Sequence, residues 1–97
     1  MSTQGELRGD RAYRVCGRVQ GVGFRWWARG VAEGLSLGGT VRNLADGTVE
    51  VRATGRVVSL DRLEDELREG PRFSRVDRLE VIEVEPIARP DEFRIEP

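Results

Sequence analysis

A short turn signal near the middle of the chain constrains the fold more than any other feature. Asp46-Gly47 is a dipeptide typical of two-residue β-hairpin turns. Residues 39–44 precede it and residues 48–54 follow it, and in the second segment apolar residues alternate with polar ones. The sequence therefore predicts a central hairpin whose second strand has Val49, Val51 and Ala53 on one face.

A strand and a helix are predicted on each side of this hairpin. Alternation favours a strand at residues 12–19 and apolar residues at helical spacing favour a helix at 26–35. A second helix is predicted at 60–69, with Ser59 as its N-cap and Gly70-Pro71 as its end. The last two predicted strands lie within residues 75–85 and at 92–95, and the first contains a change of apolar face between Val81 and Ile82 that a bulge, or burial of both faces, would explain.

The predicted element order is βαββαβ with a short extra C-terminal strand. This order defines the α+β fold class, as a ferredoxin-like α/β sandwich with two helices on one face of a mixed, mostly antiparallel sheet. The strand periodicity predicts which apolar residues face those helices: Val15, Val19, Val41, Val49 and Val51.

The length of 97 residues predicts one domain. Residues 11–97 are expected to form it, after a polar N-terminal tail at 1–10 that is expected to be flexible. No segment has the roughly 20 apolar residues of a membrane-spanning helix, and the N-terminus lacks the apolar core of a signal peptide. We therefore expect a cytoplasmic protein without a membrane partner, and a monomer as the default state.

Composition excludes several kinds of chemistry. The chain contains no histidine and only one cysteine, Cys16, so Ser-His and Cys-His catalysis and the usual zinc sites are excluded, and neither a metal nor a cofactor is predicted. All sixteen cationic residues are arginine and seventeen residues are acidic, so the net charge is −1. Nucleic-acid binding is not expected, because the basic excess and the paired stacking aromatics of such domains are missing.

The segment after the first predicted strand is a candidate phosphate-binding loop. Glycine at two positions allows backbone N–H groups to converge, and the loop leads directly into a helix N-terminus, which attracts anions. Arg25 adds a planar cation suited to phosphate. The alternative is a glycine-rich connection with an exposed arginine. The predicted substrate-binding residues are Gln20, Gly21, Val22, Gly23, Phe24 and Arg25.

Asn43 is the second candidate residue. It shares strand parity with Val41 and should point toward the helices, where a polar amide needs partners. The first and second strands are joined by a crossover, so their C-terminal ends should lie at the same edge of the sheet, with Arg25 and Asn43 together there. The alternative is a structural asparagine that braces the loop or the Asp46-Gly47 turn.

Two segments carry a resemblance to a known family. Residues 17–25 read GRVQGVGFR and residues 39–50 read GTVRNLADGTVE, and both resemble signatures of the acylphosphatases. The resemblance extends over residues 13–95. It implies hydrolysis of the carboxyl-phosphate bond of an acyl phosphate without metal, giving a carboxylate and inorganic phosphate. By motif position it implies that Arg25 binds the phosphate and Asn43 orients the attacking water, as the two catalytic residues.

Other interpretations compete with this one. A non-catalytic module could use the same loop to bind an anion or a partner, although such a module would not need Asn43. A carbamoyl-phosphate-handling domain, like the one that opens larger hydrogenase-maturation proteins, is another candidate, disfavoured by the chain's single domain. Trp26-Trp27 is bulky for its place: either the pair shapes the mouth of the substrate site, or, as the alternative that we favour, one ring packs in the ordinary way while the other is partly exposed.

Overall fold

The computed structural model describes residues 7–97, which form five strands and two helices. The elements in chain order are β1 (Arg8–Arg18), α1 (Phe24–Gly34), β2 (Gly38–Asn43), β3 (Val49–Arg56), α2 (Val57–Glu69), β4 (Arg75–Ile82) and β5 (Phe93–Ile95).

The strands form one mixed sheet in the order β4-β1-β3-β2-β5. β1 pairs antiparallel with β3 and β4, β2 pairs antiparallel with β3, and only the β2–β5 pair is parallel. Because β1 and β2 both run antiparallel to β3, they run parallel to each other, and their C-terminal ends lie at one edge of the sheet. Helix α1 packs over β2 and β5 and α2 over β4, β1 and β3, so the predicted fold class is confirmed.

The core lies between the sheet and the two helices. All five valines predicted to face the helices are buried. On the helix side, Ala28 and Ala32 of α1 and three leucines of α2 complete this layer. Burial on this scale is the main force that holds a small domain together, at about 25 cal/mol for each Å² of apolar surface removed from water.

Strand β1 begins four residues earlier than the sequence predicts. Arg8 pairs with Arg56 of β3, so residues 8–10, which were expected to belong to a flexible tail, are part of the sheet. Residues 1–6 of the predicted tail lie outside the described residues. Residues 8–10 are Arg-Gly-Asp and show no alternation of apolar and polar side chains. Periodicity alone therefore does not identify the start of β1.

Helix α2 also begins earlier, and the prediction of Ser59 as its N-cap is wrong. The N-cap is Arg56, with no side-chain hydrogen bond, because β3 passes into the helix without a loop. The backbone N–H of Val57 instead donates to the carbonyl oxygen of Leu7 (2.8 Å). Ser59 lies inside the helix and is buried.

A change of register in β4 occurs at a different place from the expected one. Gly17 pairs with Val76 while Cys16 pairs with Arg78, so Asp77 is an extra residue opposite the Cys16–Gly17 step. Such a bulge moves the residues that follow it to the other face. Leu79 therefore packs against the core together with Val76, although the two are separated by an odd number of residues.

The only tyrosine of the chain gives a direct test of this packing. Tyr13 is buried and its hydroxyl donates to a carboxylate oxygen of Glu64 (3.1 Å). Burial raises the pKa of Tyr13 to about 12, and Glu64 acts in the same direction while Arg11 opposes it. Phenolate absorbance should therefore show a midpoint near 12 in the folded protein, against about 10 for an unfolded chain.

Because the pKa of Tyr13 is higher in the folded protein than in the unfolded chain, the free energy of unfolding depends on pH. Between pH 10 and 12 the unfolded chain loses the Tyr13 proton first, so the stability from this group is complete below pH 10 and decreases as pH rises toward 12. Absorbance near 295 nm and circular dichroism, recorded on the same samples, would separate ionisation from unfolding. A phenolate midpoint near 10 with the fold intact would contradict this environment for Tyr13.

Candidate active site

The connection from β1 to α1 depends on two glycines with left-handed backbone conformations. Gly21 has φ 75° and Gly23 has φ 79°. A Cβ atom at either position would meet no other atom within 4 Å, so glycine is required for its conformation and not for lack of space. The left-handed conformations of Gly21 and Gly23 turn the backbone so that the loop leads directly into the first turn of α1.

The N-terminus of α1 is uncapped. Gly23 is the N-cap and offers no side chain, and the first turn contains no acidic residue. The first helical hydrogen bond runs from the N–H of Trp27 to the carbonyl of Gly23 (3.1 Å), so the N–H groups of Phe24 and Arg25 precede the helical ladder. These N–H groups and the positive end of the helix macrodipole form an environment that favours an anion.

Arg25 lies in this first turn and is half-buried. Its Nη1 donates to the carbonyl oxygen of Glu96, beyond β5, at 3.0 Å. No carboxylate within residues 7–97 lies within 4 Å of its guanidinium. A guanidinium has five N–H donors, so this contact fixes the side chain and leaves most donors for a ligand. Sequence reasoning missed Glu96, because a backbone carbonyl carries no signal of residue type.

Gln20 connects the loop to the β2–β3 hairpin. Its side-chain Nε2 donates to the carbonyl oxygens of Leu44 and Thr48, both at 2.8 Å. The sequence predicted Gln20 only as one of the phosphate-binding backbone amides, so this side-chain role was missed. The two bonds hold the loop against the residue that directly follows Asn43.

Asn43 is the last residue of β2 and is half-buried. It pairs with the buried Val49 of β3, which places its side chain on the helix face of the sheet, as predicted. The alternative role of Asn43, to brace the loop or the Asp46-Gly47 turn, is performed by other residues. Gln20 holds the loop, and Asp46 accepts hydrogen bonds from the N–H and hydroxyl of Thr48, which lower the pKa of Asp46.

A groove of about 1130 Å³ runs along α1 on the side of β5. Its walls include Trp26, Phe93 and Ile95, and the last two lie just before the Glu96 carbonyl that holds Arg25. Trp26 is 68% exposed, and the Arg29 guanidinium lies 5.6 Å from the centroid of its ring. Its neighbour Trp27 packs on Phe24, with ring centroids 5.2 Å apart. The expected division between one packed and one exposed ring is confirmed.

The geometry thus defines a class of protein: a small α+β sandwich with a glycine-rich loop at an uncapped helix N-terminus, and with an arginine and a carboxamide beside it at one edge of the sheet. Within residues 7–97, no group of three or more His, Cys, Asp or Glu side chains is arranged to hold a metal ion. Over the same residues neither helix has the length and apolar character needed to cross a membrane.

Comparisons with known proteins agree with this class. A sequence model described as Acylphosphatase matches residues 11–95. The acylphosphatase of Koribacter versatilis is 52% identical over 91 residues, which cover 94% of this chain and 83% of that protein. The acylphosphatase structure from Bacillus subtilis superposes with a TM-score of 0.84 at 33% identity, covering 94% of this chain and 100% of the other. The chain belongs to the acylphosphatase family.

One further match concerns the alternative of a domain within a larger protein. The HypF structure from T. kodakarensis superposes with a TM-score of 0.77 at 28% identity. The match covers 94% of this chain and only 12% of HypF. The same fold therefore also occurs as a small part of a much longer chain.

Proposed function

We propose that this acylphosphatase-family protein binds the phosphoryl group of an acyl phosphate on the backbone amides of residues 20–25 and the guanidinium of Arg25, while Asn43 orients the attacking water. The observation that carries this proposal is the pair of hydrogen bonds from Gln20 to Leu44 and Thr48, which holds the phosphate loop beside Asn43. The reaction converts an acyl phosphate and water to a carboxylate and inorganic phosphate.

The binding loop supplies the charge that phosphoryl transfer requires. Charge in the transition state is spread over the equatorial oxygens of phosphorus, so catalysis depends mainly on positioning and electrostatic stabilisation. The uncapped N-terminus of α1 and Arg25 are both fixed before the substrate arrives, the first by the helix and the second by the Glu96 carbonyl. Preorganised donors of this kind stabilise developing charge without reorganisation during the reaction.

Asn43 acts on the water and not as a base. A carboxamide donates and accepts hydrogen bonds but has no useful basicity at neutral pH. The chain contains no histidine, and an acyl phosphate is already a reactive mixed anhydride with a good leaving group. The proton of the attacking water therefore passes to an oxygen of the substrate phosphate, and the carboxylate leaves without protonation. We propose that no metal ion takes part, since Arg25 and the loop amides provide the positive charge.

The direct test is hydrolysis of benzoyl phosphate by the purified protein with a metal chelator present. We expect turnover under these conditions and release of benzoate and inorganic phosphate in equal amounts. A protein that binds inorganic phosphate in the loop but does not hydrolyse benzoyl phosphate would instead be a non-catalytic anion-binding module. Activity that disappears with the chelator and returns with added metal would contradict the metal-free mechanism.

The groove along α1 is the proposed site of the acyl group. Trp26, which directly follows Arg25 in α1, lines this groove, and its exposed ring offers a flat surface for an aromatic acyl group. Wild-type protein should have a lower KM for benzoyl phosphate than for acetyl phosphate. Trp26→Ala should raise the KM for benzoyl phosphate by about fivefold, since one aromatic contact contributes about 1 kcal/mol, and should leave the KM for acetyl phosphate almost unchanged. An equal change in both KM values would show that Trp26 does not contact the acyl group.

We further propose a cytoplasmic monomer. Cys16 is a free, buried thiol, which fits a reducing compartment. Most of the large apolar side chains lie in one internal cluster, and the exposed ones, which include Trp26, Phe73 and Val81, lie on different elements of the fold, as is ordinary for a monomer. Light scattering should give a mass near 10.9 kDa for the protein in solution.

A further inference from the structure

Two arginines and a threonine form a row across the sheet face that is opposite to the helices. Thr40 of β2 pairs with Arg52 of β3 on one side and with Arg94 of β5 on the other. Directly paired residues project to the same face. Their chain neighbours Val41 and Val51 are buried against the helices, so the three side chains of this row project to the outer face.

A chain segment covers this row and closes a pocket. Residues 86–89, on the connection from β4 to β5, line a cavity of about 210 Å³ together with the row and Glu96. Arg52 Nη2 donates to the carbonyl oxygen of Glu85 (3.0 Å), which holds the start of the segment. At its other end the segment approaches β2 so closely that a Cβ at Gly38 would overlap the carbonyl of Pro90.

The charges in this pocket are unbalanced. Most arginines of residues 7–97 have a carboxylate within 4 Å, but Arg52 and Arg94 have none there. Arg89 also lines the pocket, and it contacts Glu92 at 3.5 Å. Glu96 is the one acidic side chain of the lining, against three arginines. Arg52 and Arg94 lie on opposite sides of β2, two strand spacings apart, so an anion above Thr40 would lie between these two cations.

We propose that this pocket is a second anion site, which binds a small multivalent oxyanion such as inorganic phosphate or a dicarboxylate. Arg52 and Arg94 contact the anion from both sides and the Thr40 hydroxyl donates to it from the floor. The site is separate from the catalytic loop, which lies at the C-terminal end of β2 and on the helix side of the sheet. The two sites are linked through β5, because Glu96, whose carbonyl holds Arg25, follows Arg94 by two residues.

Titration of the ¹⁵N-labelled wild-type protein with inorganic phosphate, and separately with malonate, tests this proposal. Ionic strength is held constant with sodium chloride, so that screening does not change during the titration. We expect saturable amide shifts at residues 39–41, 52 and 94, besides a separate set at residues 20–25. Phosphate should cause both sets of shifts, and malonate mainly the first.

Two double variants localise the effect. Arg52→Gln with Arg94→Gln should weaken binding in the outer pocket by about tenfold or more, because a hydrogen bond to a charged group contributes about 1.5–3 kcal/mol, and should leave the loop shifts in place. Arg62→Gln with Arg72→Gln removes the same charge from exposed positions outside the pocket and should change neither set.

Two results would overturn the proposal. One is a wild-type titration in which the shifts are confined to residues 20–25. The other is an equal loss of the outer shifts in both double variants, which would show a general effect of net charge. Thr40→Val removes only the hydroxyl and keeps both arginines, so it tests the site even if the double variant does not fold. We expect it to weaken anion binding in the outer pocket by a few fold.

Discussion

Arg25→Ala is expected to lower kcat/KM for benzoyl phosphate by about a thousandfold, in the range found when a cation that stabilises a transferring phosphoryl group is removed. The guanidinium is held by the Glu96 carbonyl, has no carboxylate partner within residues 7–97, and lies at the uncapped end of α1. Its loss also removes the largest positive charge at the loop, so affinity for inorganic phosphate should fall as well. Initial rates and isothermal titration with phosphate measure both quantities.

Arg25→Lys and Arg62→Ala are the matched controls for this experiment. Lysine retains the charge but not the planar fork, so we expect activity between those of wild type and alanine. Arg62 lies on the exposed face of α2, paired with Glu66, and its loss should leave turnover unchanged. Unaltered phosphate affinity in a folded Arg25→Ala protein would be incompatible with the proposed role of Arg25.

Asn43→Ala is expected to lower kcat by about a hundredfold, with the affinity for inorganic phosphate changed by less than about threefold. In the proposed mechanism the carboxamide contacts the water and not the phosphoryl oxygens, so its loss removes stabilisation of the transition state only. Steady-state kinetics, combined with the same phosphate titration, separates these effects.

The control for Asn43 is Arg42→Ala, one residue earlier on β2. Arg42 projects to the opposite face and pairs with Glu50 at 3.0 Å, so its removal should affect stability slightly and turnover very little. If Asn43→Ala weakened phosphate binding as strongly as turnover, the residue would be a ligand of the phosphate, and the water would need another partner.

The sequence predicted those parts of the fold that local periodicity specifies. Alternation in β3 and helical spacing in α2 identified the buried faces, and Asp46-Gly47 identified the hairpin that places Asn43 at the edge of the sheet. The start of β1 was missed because Arg8 and its neighbours are held by backbone pairing with β3, which leaves no apolar pattern. The start of α2 was missed because a strand that runs directly into a helix has no capping residue.

Sequence reasoning about the candidate site predicted where Arg25 and Asn43 lie in the fold, but not the contacts that hold the site. Glycine at positions 21 and 23 and the following arginine are local features, and strand parity placed Asn43 on the correct face. The contact of Arg25 with Glu96 joins residues that are distant in the chain through a backbone carbonyl. The row of Arg52, Thr40 and Arg94 depends on the register of three strands, and register is set by tertiary pairing that no single segment of sequence specifies.

The attachment of Gln20 to the hairpin has a thermodynamic consequence for ligand binding. One side chain spans two separate carbonyls, so the loop and the end of β2 move as one body before any ligand arrives. The conformational entropy of the loop is therefore lost when the protein folds, and it is not lost again each time a substrate binds. In the proposed binding mode, an acyl phosphate in the loop loses its own freedom of motion, while the protein around it gains little further order.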